Sequence, residues 1–412
     1  MTDVTDRPGR ASGFQDWVGE PATRRRAATD TFLSTFVEWG YAYLATPLVE
    51  PLETVAAGVD GALQSRLFRF MDADGSLLAL VGERTVSVAR VAATQMSRGP
   101  FPLRLCYAGP VLRNQVLHGG RRRESMQAGC ELIGHAGLAA DAEGIAVAAQ
   151  ALQRAGVRGV QIDVGHADFV PALLDSAGLR PERRADVARA MRRRDLVAVE
   201  AALEGTDIAE AERALLLAFP TLRGGRDILG AAAQRLTDAR PRAVLEELAG
   251  LWDLLESHDI IDRVHLDLGA VRDWDYYTGV TYELFSSELG FPLGVGGRYD
   301  RLLSSFGLEA AATGFVLHVD RCIDATAASG DVGDRATAVR LSWAAGSEGG
   351  VHAVARRMRD AGIPVACDLE ARSTPPAGDS IHLSNDGTIL WNLRGRTASG
   401  TIEHALRLLR EE

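Results

Sequence analysis

The segment from Leu105 to Glu131 constrains the fold of this chain more than any other. Two runs of strand-forming residues flank a polar loop that contains two glycines and three arginines, a pattern that predicts a pair of strands joined by a basic loop. Because side chains alternate between the faces of a strand, Gln127, Gly129 and Glu131 should share one face. An amide and a carboxylate would then flank a residue with no side chain, which predicts a slot for a small polar ligand.

Arginines surround this predicted slot. Arg113 lies on the first of the two strands, and Arg121 and Arg123 lie in the loop between them. A guanidinium binds carboxylates and phosphates through several N–H donors. The hairpin therefore carries possible anion-binding or phosphate-binding residues beside the slot.

The chain contains no lysine, so all 45 of its basic residues are arginines. Schiff-base catalysis, a lysine-anchored pyridoxal phosphate and the lysine of a phosphate-binding P-loop are therefore excluded. No cofactor is indicated. The formal net charge of −10 disfavours nonspecific binding to nucleic acid or to a membrane surface.

Cysteine usage and hydropathy indicate a soluble cytoplasmic protein. The cysteines have no paired spacing, which favours small core residues over a zinc site or a disulfide framework; they are Cys106, Cys130, Cys322 and Cys367. No metal site is predicted. The N-terminus lacks a signal pattern, and no apolar run reaches membrane-spanning length.

The 412 residues suffice for two or three domains. The patterns predict an α+β core over residues 1–325, a linker over 326–335 and a small α/β domain over 336–412. In the core, a helix from Pro21 to Gly40 should precede a strand from Tyr41 to Val49. Residues 167–260 read as a helical insertion. In the last domain, strands near 338–343, 365–369, 382 and 389 and a helix at 350–361 should precede a final helix at 399–411.

Four segments together resemble one family. The hairpin resembles motif 2 of the class II aminoacyl-tRNA synthetases, in the form found in histidyl-tRNA synthetase. Val271–Gly279 is similar to the family's histidine-specific tyrosine motif, Gly296–Asp300 to its glycine-arginine turn, and Ala312–Arg321 to motif 3. The resemblance spans about residues 13–324. It implies an antiparallel sheet with flanking helices, a homodimer through this core, and a C-terminal domain like a shortened anticodon-binding domain.

The same resemblance implies a set of histidine contacts. The residues that match Glu83, Thr85 and Gln127 hold the α-amino group in the family, and those that match Glu131 and Tyr277 recognise the imidazole. Tyr276, which directly precedes Tyr277, belongs to the same set of expected contacts, and Arg272 would neutralise the carboxylate of histidine. The residue types suit a cationic ammonium and an imidazole with two nitrogens. A lone Glu or Tyr is more often a buried polar group with a partner, but five such residues in the family's order favour a ligand site.

The nucleotide side of the family's site is altered. Ser125 stands where an aromatic residue would stack on adenine, and Gln115 replaces a glutamate. In motif 3, His318 and Asp320 replace a glycine and a glutamate. Arginines that an ATP site would use are retained: Arg113, Arg121, Arg272 and Arg321. The substitutions indicate a histidine site and weigh against activation of histidine with ATP.

Residues 334–412 contain ten arginines and ten acidic residues, a balance that makes tRNA binding unlikely. A chain with a histidine site but without an intact ATP site or a tRNA-binding C-terminal domain resembles the regulatory subunits of ATP phosphoribosyltransferase. That family implies a short-form catalytic subunit as partner in a hetero-octamer, its activation, and feedback inhibition by L-histidine in histidine biosynthesis. Two alternatives stay open: a divergent histidyl-tRNA synthetase or other ATP-dependent histidine-activating ligase, and a scaffold that never binds histidine.

Overall fold

A computed structural model describes residues 9–57, 61–116, 122–270, 276–328, 338–393 and 396–410. Contacts between Cα atoms divide the chain into two compact units, Met1–Asp331 and Val332–Glu412. Each unit mixes helices with a sheet, so the predicted α+β class is confirmed.

The first unit is built on a large mixed sheet. Its described strands are β1 (Ala42–Tyr43), β2 (Val49–Pro51), β3 (Arg69–Met71), β4 (Leu77–Leu80), β5 (Leu103–Leu112), β6 (Glu124–Ile133), β7 (Val160–His166), β8 (Arg223–Gly224), β9 (Val264–Asp267), β10 (Val280–Ser286), β11 (Leu289–Arg298) and β12 (Ala312–His318). The large sheet has the order β1-β5-β6-β12-β11-β10-β7-β9-β8, and a small one has the order β2-β4-β3. The centre of the large sheet, from β5 to β7, is antiparallel throughout.

Described helices pack on both faces of this sheet, and the larger apolar core lies on one of them. The helices of the unit are α1 (Glu20–Glu38), α2 (Leu52–Ala57), α3 (Gly61–Gln64), α4 (Arg84–Gln95), α5 (Leu138–Arg154), α6 (Phe169–Ser176), α7 (Pro181–Arg192), α8 (Leu196–Leu203), α9 (Glu210–Ala218), α10 (Asp227–Ala233), α11 (Ala239–Ser257) and α12 (Val319–Ala328). The alanine-rich α5 packs between α1, α11 and the sheet. Phe36 of α1 meets Phe315 of β12 edge to face, with 5.5 Å between ring centroids. The opposite face carries polar side chains together with a smaller apolar cluster that includes residues of α4.

The predicted helical insertion is confirmed. Helices α6 to α11 bury leucines and an edge-to-face pair of Phe169 and Phe219, whose ring centroids are 5.1 Å apart. One short strand interrupts them: β8 pairs with β9 and so joins the insertion to the edge of the large sheet.

The predicted strand from Tyr41 to Val49 is wrong, because the structure breaks it in two. Tyr43 ends β1, which pairs with β5 in the large sheet, whereas Val49 begins β2 in the small one. Pro47 lies between them and has no N–H group to donate to a ladder. The chain therefore changes sheets at this proline.

The second unit has a five-stranded described sheet with the order β14-β13-β15-β16-β17. Its elements are β13 (Val339–Trp343), α13 (Glu348–Asp360), β14 (Val365–Cys367), β15 (Ser380–Leu383), β16 (Ile389–Leu393), β17 (Arg396–Gly400) and α14 (Ile402–Arg410). The helix predicted from residue 399 is wrong at its start, because Ser399 pairs with Leu390 across β16 and β17. Thr401 then caps α14 by accepting a hydrogen bond from the backbone N–H of His404, at 3.4 Å.

Four smaller findings complete the description of the fold. Residues 325–328 continue α12, so the polar stretch expected to be a linker begins as helix; residues 329–335 lie outside the described residues. Among the described helices, none is both long and apolar enough to cross a bilayer. In the same part of the chain, no group of three or more His, Cys, Asp or Glu side chains could hold a metal ion. All four cysteines are free thiols, and three of them are buried.

Candidate functional site

Polar side chains gather on the face of the large sheet opposite to the helical core. The alternation predicted for β6 is confirmed, because Gln127, Gly129 and Glu131 lie on this face. The predicted slot is wrong in one respect, since the space over Gly129 is filled. A Cβ atom at Gly129 would lie 2.6 Å from the hydroxyl oxygen of Tyr107, its direct partner on β5. The glycine therefore admits a tyrosine instead of leaving a gap.

Glu131 is the centre of this polar cluster. Its carboxylate accepts hydrogen bonds from the Tyr107 hydroxyl, at 3.2 Å, and from the Tyr299 hydroxyl. Gly314 of β12 makes room for it, because a Cβ atom there would lie 1.8 Å from a Glu131 oxygen. Burial is the main cause that raises the pKa of Glu131 to about 8, although hydrogen bonds from the tyrosines oppose the shift. Glu131 is therefore largely protonated at neutral pH.

Glu83 and Thr85 lie at the start of α4, beside this carboxyl group. Glu83 occupies the N-cap position in extended backbone, where the helix dipole favours an anion. Both side chains are buried. The Thr85 hydroxyl lies 3.5 Å from a Glu83 oxygen, and the Arg113 guanidinium lies 3.6 Å from the other one. The predicted anion-binding residue Arg113 thus faces a carboxylate of the protein, and its Nε donates to the carbonyl of Gly82, at 2.8 Å.

Gln127 is fully buried, yet neither atom of its amide has a hydrogen-bond partner among the described residues. Leaving a buried amide unpaired is costly, so such a group marks a place where a ligand or a water molecule binds. His318 lies directly opposite on β12. Burial and then the charges of Arg321 and Arg113 hold the pKa of His318 well below its usual value, so this imidazole is neutral.

Tyr276 and Tyr277 close the cluster from the loop before β10. Their ring centroids are 4.7 Å apart, and Tyr276 meets Tyr299 edge to face at 5.9 Å. A Cβ atom at Gly297 would lie 3.0 Å from the Tyr277 ring, so glycine is needed for this close approach. Two of the sequence-predicted residues, Arg121 and Arg272, lie outside the described residues.

Several polar groups on the nucleotide side bond to other parts of the protein. The Gln115 amide donates to the carbonyl of Arg122 at 2.7 Å, and the Arg123 guanidinium donates to the carbonyl of Gln115 at 3.4 Å. Asp320 accepts from Arg25, at 2.8 Å. Arg321 donates to the carbonyl of Pro292 at 2.6 Å. These polar groups therefore have bonding partners within the protein.

A cavity of about 750 Å³ adjoins the cluster on the same face of the sheet. Tyr277 lines both. Beyond it the cavity is lined by Asp163 of β7 and by three arginines of the insertion, Arg192, Arg194 and Arg223. No sequence pattern singles out these arginines, because the turn around Arg223 contains no recognisable group of catalytic residues.

Tyr107 and Tyr299 bond to Glu131, but the sequence patterns did not single them out. Both lie in motifs that were recognised, but neither was given a role. The signal for Tyr107 is the hairpin register, which places it opposite Gly129. Tyr299 follows Arg298 at the end of β11 and reaches Glu131 only through the fold, which no local pattern reports.

Comparisons with known proteins show which proteins the chain is similar to. A sequence model of the family described as histidyl-tRNA synthetase matches residues 13–322. The ATP phosphoribosyltransferase regulatory subunit of Geobacter sulfurreducens is 37% identical over 308 residues, which cover 74% of this chain and 70% of that protein. The protein of that name from Moorella thermoacetica is 35% identical over 89% of this chain and 93% of its own length. A Bacillus halodurans crystal structure, described as an ATP phosphoribosyltransferase regulatory subunit/histidyl-tRNA synthetase, superposes with a TM-score of 0.81 at 30% identity, covering 89% of this chain and 94% of that one.

Proposed function

Because the chain belongs to the family of ATP phosphoribosyltransferase regulatory subunits, with a histidyl-tRNA synthetase-like core, we propose that it activates a short catalytic subunit of that enzyme and mediates its feedback inhibition by L-histidine. This places it at the first step of histidine biosynthesis. The observation that carries the histidine part is Glu131, a carboxyl group buried among three tyrosines and a threonine.

The imidazole of histidine suits this environment. A neutral imidazole has one N–H donor and one acceptor nitrogen, and Glu131 can accept from the first as a carboxylate or donate to the second as an acid. With a pKa of about 8, Glu131 keeps both forms within reach near neutral pH. Tyr277 supplies a hydroxyl as the second polar partner and a ring that packs against the ligand.

The α-amino end of histidine fits the groups beside Glu131. An ammonium needs acceptors, and Glu83, Thr85 and the carbonyl oxygen of Gln127 provide them. A ligand in this position would satisfy the buried Gln127 amide. Arg272 remains the proposed partner of the ligand's carboxylate. Arg113 and Tyr276 complete the proposed set.

A regulatory role agrees with the altered nucleotide side. His318 projects beside Gln127 where the synthetases have glycine, and Asp320 is held by Arg25. Transfer of an adenylyl group depends on groups placed in advance for the polyphosphate and the base. The alternative of a divergent synthetase or other histidine-activating ligase is not favoured, because the similar proteins are named as regulatory subunits.

Regulation follows from linkage between the two subunits. Histidine can shift the assembly toward an inhibited state only by the difference between its affinities for the two states. The partner must then change the histidine affinity by the same factor. We propose a homodimer through the class II core and a hetero-octamer with the catalytic subunit as the frame for this coupling.

Reconstitution with a short catalytic subunit tests the proposal. Glu131→Ala should weaken histidine binding by about tenfold, since it removes the hydrogen bond to the imidazole and leaves the ligand's polar atom unpaired, and should desensitise the complex without preventing assembly. Glu124→Ala, on the same strand but outside the cluster, is the matched control. Unchanged feedback in the Glu131→Ala complex would rule out this cluster as the sensor. Histidine-dependent exchange of pyrophosphate into ATP by the chain alone would instead identify a ligase.

A further inference from the structure

The cavity beside the Glu131 cluster lies between the large sheet and the insertion. Gln161 and Asp163 of β7 and Phe285 of β10 line it from the sheet, and Arg194 and Arg223 line it from the insertion. Its volume of about 750 Å³ is within the range of sites that hold small organic ligands. The proposed histidine site does not account for it.

Charged groups of both signs line the cavity. The side chains of Asp267 and Asp163 are 1% and 11% exposed, whereas those of Arg194 and Arg223 are about half exposed, at 49% and 47%. Two further charged residues line the cavity, Arg192 and the partly exposed Glu283. A ligand that enters it can therefore reach the guanidinium groups of Arg194 and Arg223 more readily than the carboxylates that they pair with.

The arginines keep donors beyond those used within the protein. Arg223 donates to Asp163 at 2.5 Å, and Arg194 donates to Asp267 and to the carbonyl of Pro220, the latter at 3.2 Å. These are the bonds of the two side chains within the described residues. Each guanidinium has five N–H donors. The carboxylates thus fix and partly neutralise the arginines while leaving donors for a further acceptor.

The backbone at Arg194 supports a role for its side chain. Arg194 follows the end of α7 with a φ of 52°, in the left-handed region that favours glycine. Glycine would adopt this conformation at no steric cost, whereas a residue with a Cβ atom costs about 1 kcal/mol. What arginine adds at this turn is a guanidinium that reaches the buried Asp267.

We propose that this cavity is a second ligand site, separate from the Glu131 cluster, for an organic phosphate of nucleotide size. Its phosphate group lies on Arg194 and Arg223, because paired guanidinium groups bind phosphate through several N–H donors. Its ring lies against Phe285. Tyr277 borders both sites, so occupancy of one affects the other.

The purified full-length chain can be titrated with AMP in a calorimeter, with adenosine and orthophosphate as separate ligands. AMP should bind with a Kd on the order of 0.1–1 mM, and each of the other two at least about tenfold more weakly, because each lacks one half of the contacts. Arg223→Gln should weaken AMP binding about tenfold. Gln161→Glu, which is isosteric and breaks no ion pair, should weaken it as much by repelling the phosphate.

Arg226→Gln is the matched control, since Arg226 is also half exposed and paired with a carboxylate, Asp253, but does not line the cavity. It should bind AMP as the wild-type chain does. Thermal unfolding of each variant distinguishes the loss of a ligand contact from the loss of the folded structure.

The proposal fails if AMP does not bind, if both cavity variants bind it normally, or if orthophosphate binds equally well. It also fails if Glu131→Ala abolishes AMP binding, because the ligand would then occupy the other cluster. No catalytic subunit is needed, so failure here leaves the proposed regulatory function untouched.

Discussion

Two glycines on neighbouring strands make room for the side chain of Glu131 and for its tyrosine partner. Gly129 admits the Tyr107 ring, and Gly314 admits the carboxyl group itself. The sequence predicted the shared face of Gln127, Gly129 and Glu131 because the two-residue period of a strand is local. It did not predict that a tyrosine fills the gap, because that depends on the register between two strands.

The buried Glu131 should make stability depend on pH. Its pKa rises from 4.5 to about 8 on folding, so the folded chain binds more protons between these values. The resulting contribution to the free energy of unfolding is fully present below about pH 4.5 and is lost as pH rises through about 8. The loss is on the order of 5 kcal/mol at most. Glu131→Gln cannot titrate, and urea unfolding from pH 5 to 9 should show wild-type stability falling relative to this variant. Parallel curves would contradict the burial of an acidic Glu131.

Elements depart from the local patterns where pairing with a distant strand decides the outcome. Helix α4 and the β5–β6 hairpin were predictable because caps, periodicity and a polar loop are encoded within each segment. Pro47, in contrast, moves the chain from one sheet to another, and Ser399 pairs with β16 although a helix follows directly. Such choices depend on neighbours that are remote in sequence.

Close packing between β6 and β12 should make Gly314 intolerant of a side chain. A Cβ atom there would lie 1.8 Å from Glu131 and 2.6 Å from the carbonyl oxygen of Cys130. Gly314→Ala should therefore lower the free energy of unfolding by about 1–3 kcal/mol. Gly230→Ala, in helix α10 with no atom within 4 Å of the new Cβ, should raise it by about 0.5–1 kcal/mol. Equal effects of the two substitutions in denaturant unfolding would show that packing at the strand pair is loose.

The glycine-arginine turn should matter for stability, because Arg298 joins β11 to α5. Its guanidinium donates to the buried Asp141 at 2.6 Å and to two backbone carbonyls. Arg298→Met should cost about 3–5 kcal/mol, since it leaves an unpaired buried carboxyl group. Adding Asp141→Leu should recover part of that loss. Arg154→Met, which breaks an exposed pair with Glu38, should change the melting temperature little. Equal shifts for Arg298→Met and Arg154→Met would refute the structural role of the buried pair.

At the scale of the whole molecule, composition and motif order predicted an α+β core with a helical insertion and a smaller C-terminal unit with its own sheet. The motifs sufficed because they span most of the core in a fixed order. The cavity beside the Glu131 cluster could not be predicted, since its arginines come from the insertion and its carboxylates from the sheet. Only folding brings these parts together.

The first unit should bind its ligand without the second. Every described residue of the Glu131 cluster lies within Met1–Asp331, and the second unit has its own apolar core around Trp343 and Trp391. A chain that ends at residue 328 should therefore fold and should bind histidine with an affinity within about threefold of the full chain. Calorimetric titration of both chains measures this. A folded truncated chain that no longer binds histidine would assign the second unit a part in the site.

The pairing of β6 with β12 also sets when the site can exist during synthesis. Ile133 at the end of β6 is the direct partner of Ala312 at the start of β12, roughly 180 residues later in the chain. At a translation rate of about 5–20 residues per second, the edge of β6 waits on the order of ten seconds or longer for its neighbour. The insertion can fold from local contacts during that interval. A nascent chain in which β12 has not yet emerged therefore lacks the strand that pairs with β6 beside Glu131, and the exposed edge of β6 is where a chaperone would be needed.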